Sequence, residues 1–241
     1  MMLNIDRDYL PPAQIALPFS AKSKPAPIIE EGYLYSEQEK AIHGLARHYG
    51  IDFGLPLGTP VYASRDGYVL QSEHIDFTDA VEGRSSVGFG LGNFVAQLCF
   101  ADNGNPFYLT YAHLSKVEGA IPKFDPKWEE DDSCDPVVLY QGIADFQAKC
   151  RKISRGELIG AVGISGLAKA KGSLESWDDP HLHMECFMRL SHNFNKDPTR
   201  RFDPFDLYQE VTAYRDSLKQ ALGKHDLWIR DENGACLYAA V

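Results

Sequence analysis

The alternation of hydrophobic and polar residues predicts a chain built mainly from β-strands. In the segment HYGIDF, residues 48–53, polar and apolar positions alternate, which is the period of a strand with two distinct faces. Further β-prone runs occur in GTPVYASRDGYVL, GNFVAQLCF, FYLTYAHL, ELIGAVGIS and HLHMECFM. Up to residue 117, no amphipathic pattern of helix length separates these runs, which favours antiparallel pairing. We therefore predict a mainly β fold with an antiparallel sheet core and peripheral helices.

Turn residues between these runs predict two hairpins. Asp66 and Gly67 are flanked by β-prone residues, and an Asp-Gly pair is a common two-residue hairpin turn. Residues 102–105 separate GNFVAQLCF from FYLTYAHL in the same way. The two strands of each pair are expected to lie side by side.

The remaining segments suggest how the chain is organised. Residues 1–30 carry five prolines and predict an extended N-terminal arm. We assign the main domain to residues 31–208, with insertions at 118–151 and 169–179. The first insertion contains a run of acidic residues at 129–132, interpreted as a solvated surface loop. Residues 209–241 are expected to form a helix and a hairpin packed on the same domain.

Three segments have features of helices. Residues 36–47 are compatible with a short helix, as are residues 139–150 in the first insertion. Asp203 followed by Pro204 is a good helix start, and apolar residues then recur at helical spacing as far as Gly223. This last pattern predicts a C-terminal helix.

Composition narrows the classes of function. Apolar residues make up 44% of the chain and charged residues 24%, which is typical of a folded globular protein. The formal net charge of −10 repels phosphate backbones and argues against nucleic acid as a partner. No stretch approaches the roughly 18 consecutive apolar residues of a membrane-spanning helix.

Cysteines and the N-terminal residues add little about the compartment. The five cysteines form no CxxC pair, so neither a disulfide framework nor a zinc ribbon is indicated. Asp6, Arg7 and Asp8 stand where a signal peptide would have its apolar core, so no secretory signal is visible. The compartment and the oligomeric state stay open.

The first candidate for chemistry is the segment His48 to Asp52. On a strand, His48, Gly50 and Asp52 share one face, so an imidazole and a carboxylate point the same way. We expect Gly50 to leave open space between them, large enough for a metal ion. Taken alone, the His-Asp spacing also suits an ordinary ion pair.

Two further segments supply histidines. His181 and His183 stand at the strand period of two, with Leu182 and Met184 facing a core on the other side. His113 ends a predicted strand, and by itself it is compatible with a hydrogen-bonded structural histidine. The segment at Gly163 differs from the GxSxG nucleophile elbow because no glycine closes it. Together, the histidines and Asp52 form a pattern that no single-residue explanation covers.

The order HYGIDFG, GTPVYASRDGYV, GNFV, YAHLS, RGELIGAVGISG and PHLHMEC resembles the lysostaphin/LytM-type zinc endopeptidases. Members of this family cleave peptide bridges and stems of the bacterial cell wall. The resemblance runs from His48 to Glu185, interrupted by the two insertions. It implies an antiparallel sheet crossed by a groove, with a single zinc ion on the groove floor.

The resemblance also implies roles for individual residues, namely His48, Asp52 and His183 as zinc ligands and His113 and His181 as unliganded catalytic histidines. Three protein ligands and a water form the coordination of a catalytic zinc. One catalytic histidine acts as general base and the other stabilises the oxyanion or protonates the leaving amine; which does which stays open. Glu185, on the strand face of His183, either orients that imidazole or forms a simple salt bridge.

We therefore expect a zinc-dependent endopeptidase whose substrate is peptidoglycan or another peptide. The family's substrate implies a periplasmic or secreted protein, and the scissile bond stays open. One alternative is a non-catalytic module that binds peptidoglycan or a partner on the same fold, but every ligand position of the family is filled here. A second alternative is a swinging-arm carrier domain. It would need a lysine at a tight turn, and Lys169 and Lys171 lie in a loop of a different character.

Overall fold

The computed structural model describes residues 15–20, 28–31, 48–74, 91–123, 136–142, 144–166, 180–188, 201–202, 204–207 and 225–226. These residues form eleven strands, two short α-helices and one 3-10 helix. The strands are β1 (Ile28–Glu31), β2 (Gly50–Gly54), β3 (Pro60–Tyr62), β4 (Gly67–Glu73), β5 (Asn93–Phe100), β6 (Pro106–Val117), β7 (Lys152–Ile153), β8 (Leu158–Val162), β9 (His181–Phe187), β10 (Arg201–Phe202) and β11 (His225–Asp226). The helices are α1 (Pro136–Gly142), α2 (Ala144–Lys149) and the 3-10 helix Pro204–Leu207.

The strands form one sheet in which every pairing is antiparallel. Its main path runs β11-β1-β2-β9-β6-β5-β4-β7, with β10 paired to β9 and β8 joining β6 to β3. The sheet is not closed into a barrel. The predicted antiparallel, mainly β fold class is therefore confirmed, and β9 lies between β2 and β6 at its centre.

Alternating side chains on the central strands build the main hydrophobic cluster on one face of the sheet. From β9 the cluster takes Leu182, Met184 and Cys186, from β2 it takes Ile51 and Phe53, and from β6 it takes Leu109 and Tyr111. Because neighbouring residues of a strand point to opposite faces, the polar residues between them lie on the other face. The prediction that Leu182 and Met184 face a core is confirmed.

Residues 15–20, within the predicted N-terminal arm, pack against this main cluster. The ring of Phe19 meets that of Phe53 edge to face at 5.1 Å between centroids. The backbone N–H of Tyr62 donates to the carbonyl of Pro18 at 2.8 Å. This short piece of chain is therefore tied to the sheet by both packing and backbone hydrogen bonding.

Helix α1 covers part of the opposite face. Tyr140 of α1 packs on Tyr68 of β4, with ring centroids 4.6 Å apart. Both rings pack against a second hydrophobic cluster that includes Tyr108 and Phe187. The helical character predicted for residues 139–150 appears as the two short helices α1 and α2.

One of the two predicted hairpins forms and the other does not. Strands β5 and β6 pair as predicted across the turn at 102–105. The hairpin at Asp66 and Gly67 is wrong, since β3 pairs with β8 whereas β4 pairs with β5 and β7. Gly67 is the first residue of β4, where a side chain would collide with the carbonyl oxygen of Leu98 on β5. This glycine serves the close approach of β4 to β5 and not a turn.

Several predictions concern residues outside the described part of the chain. They are the helix at 36–47, the insertion at 169–179, most of the C-terminal helix and the final hairpin. Among the described helices, none is long and apolar enough to cross a membrane.

Candidate metal centre

Two adjacent strands bring the predicted metal-binding residues together. Asp52 of β2 and His183 of β9 are direct cross-strand partners, and such pairs have Cβ atoms about 4.5–5.5 Å apart. His48 precedes β2 by two residues and stands four residues before Asp52. The three side chains are buried on the face opposite the main hydrophobic cluster.

The ligand atoms of His48, Asp52 and His183 all lie within 4.8 Å of one another. His48 Nε2 is 3.1 Å from His183 Nδ1 and 3.2 Å from Asp52 Oδ2. His183 Nδ1 is 2.6 Å from Asp52 Oδ1. Ligands about 2.0–2.2 Å from a tetrahedral zinc ion lie roughly 3.3–3.6 Å apart. Two imidazoles and a carboxylate at these separations fit a zinc ion with little adjustment.

Gly50 differs from its expected role. The space beside it is not open, because a Cβ at this position would lie 2.7 Å from Cε1 of His183 and 2.5 Å from the carbonyl oxygen of Met184. The imidazole of His183 fills the gap that the missing side chain leaves. Gly50 therefore makes room for the imidazole of His183 and not for a metal ion.

Replacing Gly50 with alanine is expected to push the His183 ring out of position. Overpacking of this kind costs about 1–3 kcal/mol of unfolding free energy, and the displaced imidazole no longer faces His48 and Asp52. Denaturant unfolding and zinc content measure the two effects. Gly119→Ala is the matched control, since nothing lies within 4 Å of a Cβ there. Wild-type stability and zinc content in Gly50→Ala would show that the close approach is unimportant.

The second ring nitrogen of His183 also faces a carboxylate. His183 Nε2 lies 3.2 Å from Glu185 Oε1, two residues further along β9. Burial lowers the pKa of His183, but Asp52 and then Glu185 outweigh it and raise that pKa to about 10. The ring is thus held at both nitrogens, and Glu185 contacts the one that does not face His48.

The environment of Asp52 keeps it ionised. Burial raises the pKa of this carboxyl group, but the three histidines around it, His48, His181 and His183, outweigh burial and hold the pKa well below its usual range. A carboxylate in a buried position needs such compensating partners. Asp52 is therefore a charged oxygen donor at the centre of a cluster of imidazoles.

His113 does not end its strand, contrary to expectation. Strand β6 continues to Val117. It pairs with β9 as far as Ala112 and with β8 from Leu114 onward, and His113 lies between the two pairings. Its φ is +60°, a left-handed conformation that non-glycine residues seldom adopt. The turn in the backbone aims the imidazole at the other histidines. Its ring centroid is 5.0 Å from that of His181.

Ser165 holds His113 and was not predicted as part of the site. His113 Nδ1 donates to the carbonyl of Ser165 at 2.8 Å. The Ser165 hydroxyl donates to the carbonyl of Leu114 at 2.6 Å and accepts from the N–H of Asn93 at 2.9 Å. The serine, which lies just after β8, therefore ties β5 and β6 together around His113. Its only signal in the sequence is the glycine-flanked turn that also resembles a nucleophile elbow.

The proton state of His113 follows from its surroundings. Burial lowers its pKa, and the neighbouring His181 and His183 lower it further, so that the pKa lies well below the usual value in spite of Asp52 and Ser165. His113 is therefore neutral near pH 7. With Nδ1 protonated and bonded to Ser165, Nε2 carries the free lone pair.

His181 completes the group. It begins β9 and bridges to Gly163 in the backbone, and its Nε2 is 3.9 Å from Asp52 Oδ2. The structure thus brings all five predicted site residues and Glu185 into one buried cluster. It adds Arg201 of β10, which the sequence patterns did not single out and whose Nη2 lies 3.9 Å from Glu185 Oε2.

Comparison with known proteins identifies relatives of this chain, although no family model matches it. Peptidoglycan DD-endopeptidase ShyA of Vibrio cholerae is 28% identical over 145 residues, which cover 60% of this chain and 21% of that protein. Glycyl-glycine endopeptidase ALE-1 of Staphylococcus capitis is 25% identical over 176 residues, which cover 73% of this chain and 33% of that protein. The chain is similar to these two bacterial endopeptidases over the segments given.

The resemblance to the lysostaphin/LytM-type peptidases inferred from the motifs is thereby confirmed. The chain spans a third or less of the length of either curated relative. Among solved structures, lysostaphin from Staphylococcus simulans aligns at 18% identity over 92% of this chain and 65% of that one, with a TM-score of 0.44. A zinc containing peptidase from Vibrio cholerae aligns at 21% identity over 79% and 39%, with a TM-score of 0.43.

Proposed function

We propose that this chain is a zinc-dependent endopeptidase that hydrolyses peptide bonds in peptidoglycan. The observation that carries the proposal is the convergence of His48, Asp52 and His183 beside two further histidines in one cluster. The relatives' names supply the substrate class, since both are endopeptidases and one is named for peptidoglycan.

The proposed zinc ligands are His48 Nε2, His183 Nδ1 and a carboxylate oxygen of Asp52. These are the donor types that zinc prefers, and the absence of thiolates from the group suits a catalytic site more than a structural one. Bound zinc supplies Lewis acidity and lowers the pKa of a water molecule to about 7. Because His183 Nε2 faces Glu185, the nitrogen proposed to bind is Nδ1, which faces the other two proposed ligands.

His113 is the proposed general base. Its Nδ1–H is committed to the Ser165 carbonyl, so its Nε2 can take a proton from the attacking water. Because burial and the adjacent histidines keep its pKa low, the ring is unprotonated and ready to accept that proton at neutral pH. Its low pKa also helps it to release the proton afterwards to the leaving amine.

His181 is the proposed stabiliser of the oxyanion that forms on the substrate carbonyl. Its ring lies beside that of His113, with 5.0 Å between the centroids, and its Nε2 is on the Asp52 side of the cluster. An N–H donor held at such a position stabilises developing negative charge. The two histidines thus flank one reaction centre with different tasks.

Access for a peptide is compatible with the burial of these residues. The histidines and Asp52 keep 6–7% of their surface exposed, whereas Leu182 and Met184 behind them have none. The cluster lies just below the surface and not within the core. A peptide bond can therefore reach it with little rearrangement of the sheet.

Digestion of purified peptidoglycan tests the proposal. We expect the zinc-loaded protein to release cross-linked fragments whose masses identify the cleaved peptide bond, and a chelator to stop the reaction. Two substrates, cross-linked directly between stems or through glycine bridges, separate the bonds for which the two relatives are named. Binding to peptidoglycan without any cleavage would favour the non-catalytic module instead.

A further inference from the structure

We propose that Arg201 is a positioning residue that acts on the metal centre through Glu185. This inference rests on the proposed zinc site. By fixing Glu185, Arg201 fixes the ring orientation of His183 and thereby the affinity of the site for zinc. Arg201 lies on β10, a strand that carries none of the proposed zinc ligands. It reaches the site because β10 pairs with β9.

The two oxygens of Glu185 have different partners. Oε1 accepts from His183 Nε2 at 3.2 Å, and Oε2 lies 3.9 Å from Arg201 Nη2. The second contact is an ion pair and is too long for a hydrogen bond. Glu185 and Arg201 are 6% and 4% exposed, so solvent screens their attraction little. Glu185 therefore connects the metal-binding imidazole to a buried guanidinium group.

Arg201 is itself held rigidly. Its guanidinium carbon lies 4.2 Å from the centroid of the Tyr49 ring and 5.0 Å from that of Phe187. Stacking on aromatic faces suits the planar guanidinium group and not the compact ammonium of lysine. Backbone pairing of Arg201 with Phe187 fixes the same residue from the other side. A charge so restrained can hold the Glu185 carboxylate in one place.

The fixed carboxylate in turn selects one tautomer and one orientation of the His183 ring. A hydrogen bond from Nε2 to Glu185 keeps the proton on that nitrogen and turns Nδ1 toward His48 and Asp52. Partners that orient a metal-binding histidine in this way typically change metal affinity about 10- to 100-fold when lost. Arg201 is one step further away, and its effect must pass through Glu185.

The first test is the zinc dissociation constant of Arg201→Met, measured by competition with a chromophoric chelator. We expect about 10-fold weaker binding, the lower end of the range for a direct partner of the histidine. Arg65→Met is the matched control, because Arg65 also pairs with a carboxylate, Asp102, and faces the Phe107 ring, but sits on the connection between β3 and β4. Its zinc binding is expected to match that of wild type. Wild-type affinity in Arg201→Met would overturn the inference.

A double-mutant cycle tests whether the effect passes through Glu185. Glu185→Gln is expected to weaken zinc binding, and adding Arg201→Met to it should weaken binding no further. Fully additive losses would contradict the proposed route. Arg201→Lys, which keeps the charge but not the stacking, should recover part of the affinity. If Arg201→Met does not fold, Arg201→Gln replaces it under the same criteria.

An NMR measurement separates positioning from general destabilisation. In the zinc-loaded wild type, we expect the Nε2 proton of His183 to exchange slowly with water, because it is buried and bonded to Glu185. Arg201→Met should speed that exchange, while thermal unfolding of the metal-free protein reports any loss of stability. Unchanged exchange would overturn the inference. A wild type that binds no zinc would defeat the proposed function itself, which is a separate outcome.

Discussion

Replacing Asp52 with alanine is expected to abolish zinc binding and peptide hydrolysis together. Asp52 lies within ion-pair distance of His48, His181 and His183, so its removal takes away a proposed zinc ligand and the negative charge that attracts these imidazoles. Loss of outer partners costs about 10- to 100-fold in metal affinity, and loss of a direct ligand is expected to cost more than 100-fold. Elemental analysis and a peptidoglycan digestion assay measure the two effects.

Asp102→Ala is the control for the Asp52 substitution. Asp102 also pairs with a basic side chain, Arg65, but its side chain is 73% exposed and exposed ion pairs contribute little. Zinc content and activity should stay at wild-type values. If Asp52→Ala retained one zinc ion per chain, Asp52 would not be a ligand.

Replacing His113 with alanine is expected to remove activity while zinc stays bound. His113 is not among the three residues whose ligand atoms converge, so the metal site is left intact. Positioned general bases contribute about 10²- to 10⁴-fold to rate, and kcat should fall by that factor. The measurement is kcat on a defined peptide substrate, with zinc content determined on the same sample.

Two further variants complete the His113 test. His181→Ala should lower kcat by a similar factor, again with zinc retained, because the variant lacks the proposed oxyanion donor. His74→Ala is the control, since His74 follows β4 and takes no part in the cluster. Activity that survives in both His113→Ala and His181→Ala would remove the base and oxyanion roles.

Much of the fold could be predicted from sequence because strand periodicity reports burial directly. The alternation in residues 50–53 and 181–186 places the apolar side chains in the main cluster and the polar ones on the other face. Antiparallel pairing of β5 with β6 followed from turn residues between two apolar runs. Both signals are local in the sequence, and the observed sheet agrees with them.

The two errors in the sheet arise from contacts between distant residues. The Asp-Gly pair at 66–67 is a good local turn signal, but Gly67 is needed for close packing against Leu98. Likewise, no local pattern shows that β6 exchanges β9 for β8 at His113. The residue with the left-handed backbone there bonds through its ring to Ser165, more than fifty residues away in sequence.

The sequence predicted which residues form the candidate site, but it did not predict the residues that hold them in place. Histidines and an aspartate at strand spacing can be recognised in sequence, since their chemistry and period are explicit. Arg201 has neither signal, because its importance depends on β10 pairing with β9. Gly50 was placed on the correct strand, but the open space predicted beside it is filled by the His183 ring. Only the packing in the structure shows this.

An anomalous difference map from a crystal of the zinc-loaded protein, recorded at the zinc absorption edge, tests the central claim most directly. We predict one peak about 2.0–2.2 Å from His48 Nε2, His183 Nδ1 and an Asp52 oxygen, with no fourth protein ligand. A peak held by other residues, a fourth protein group bound to the metal, or no peak at this cluster would contradict the claim.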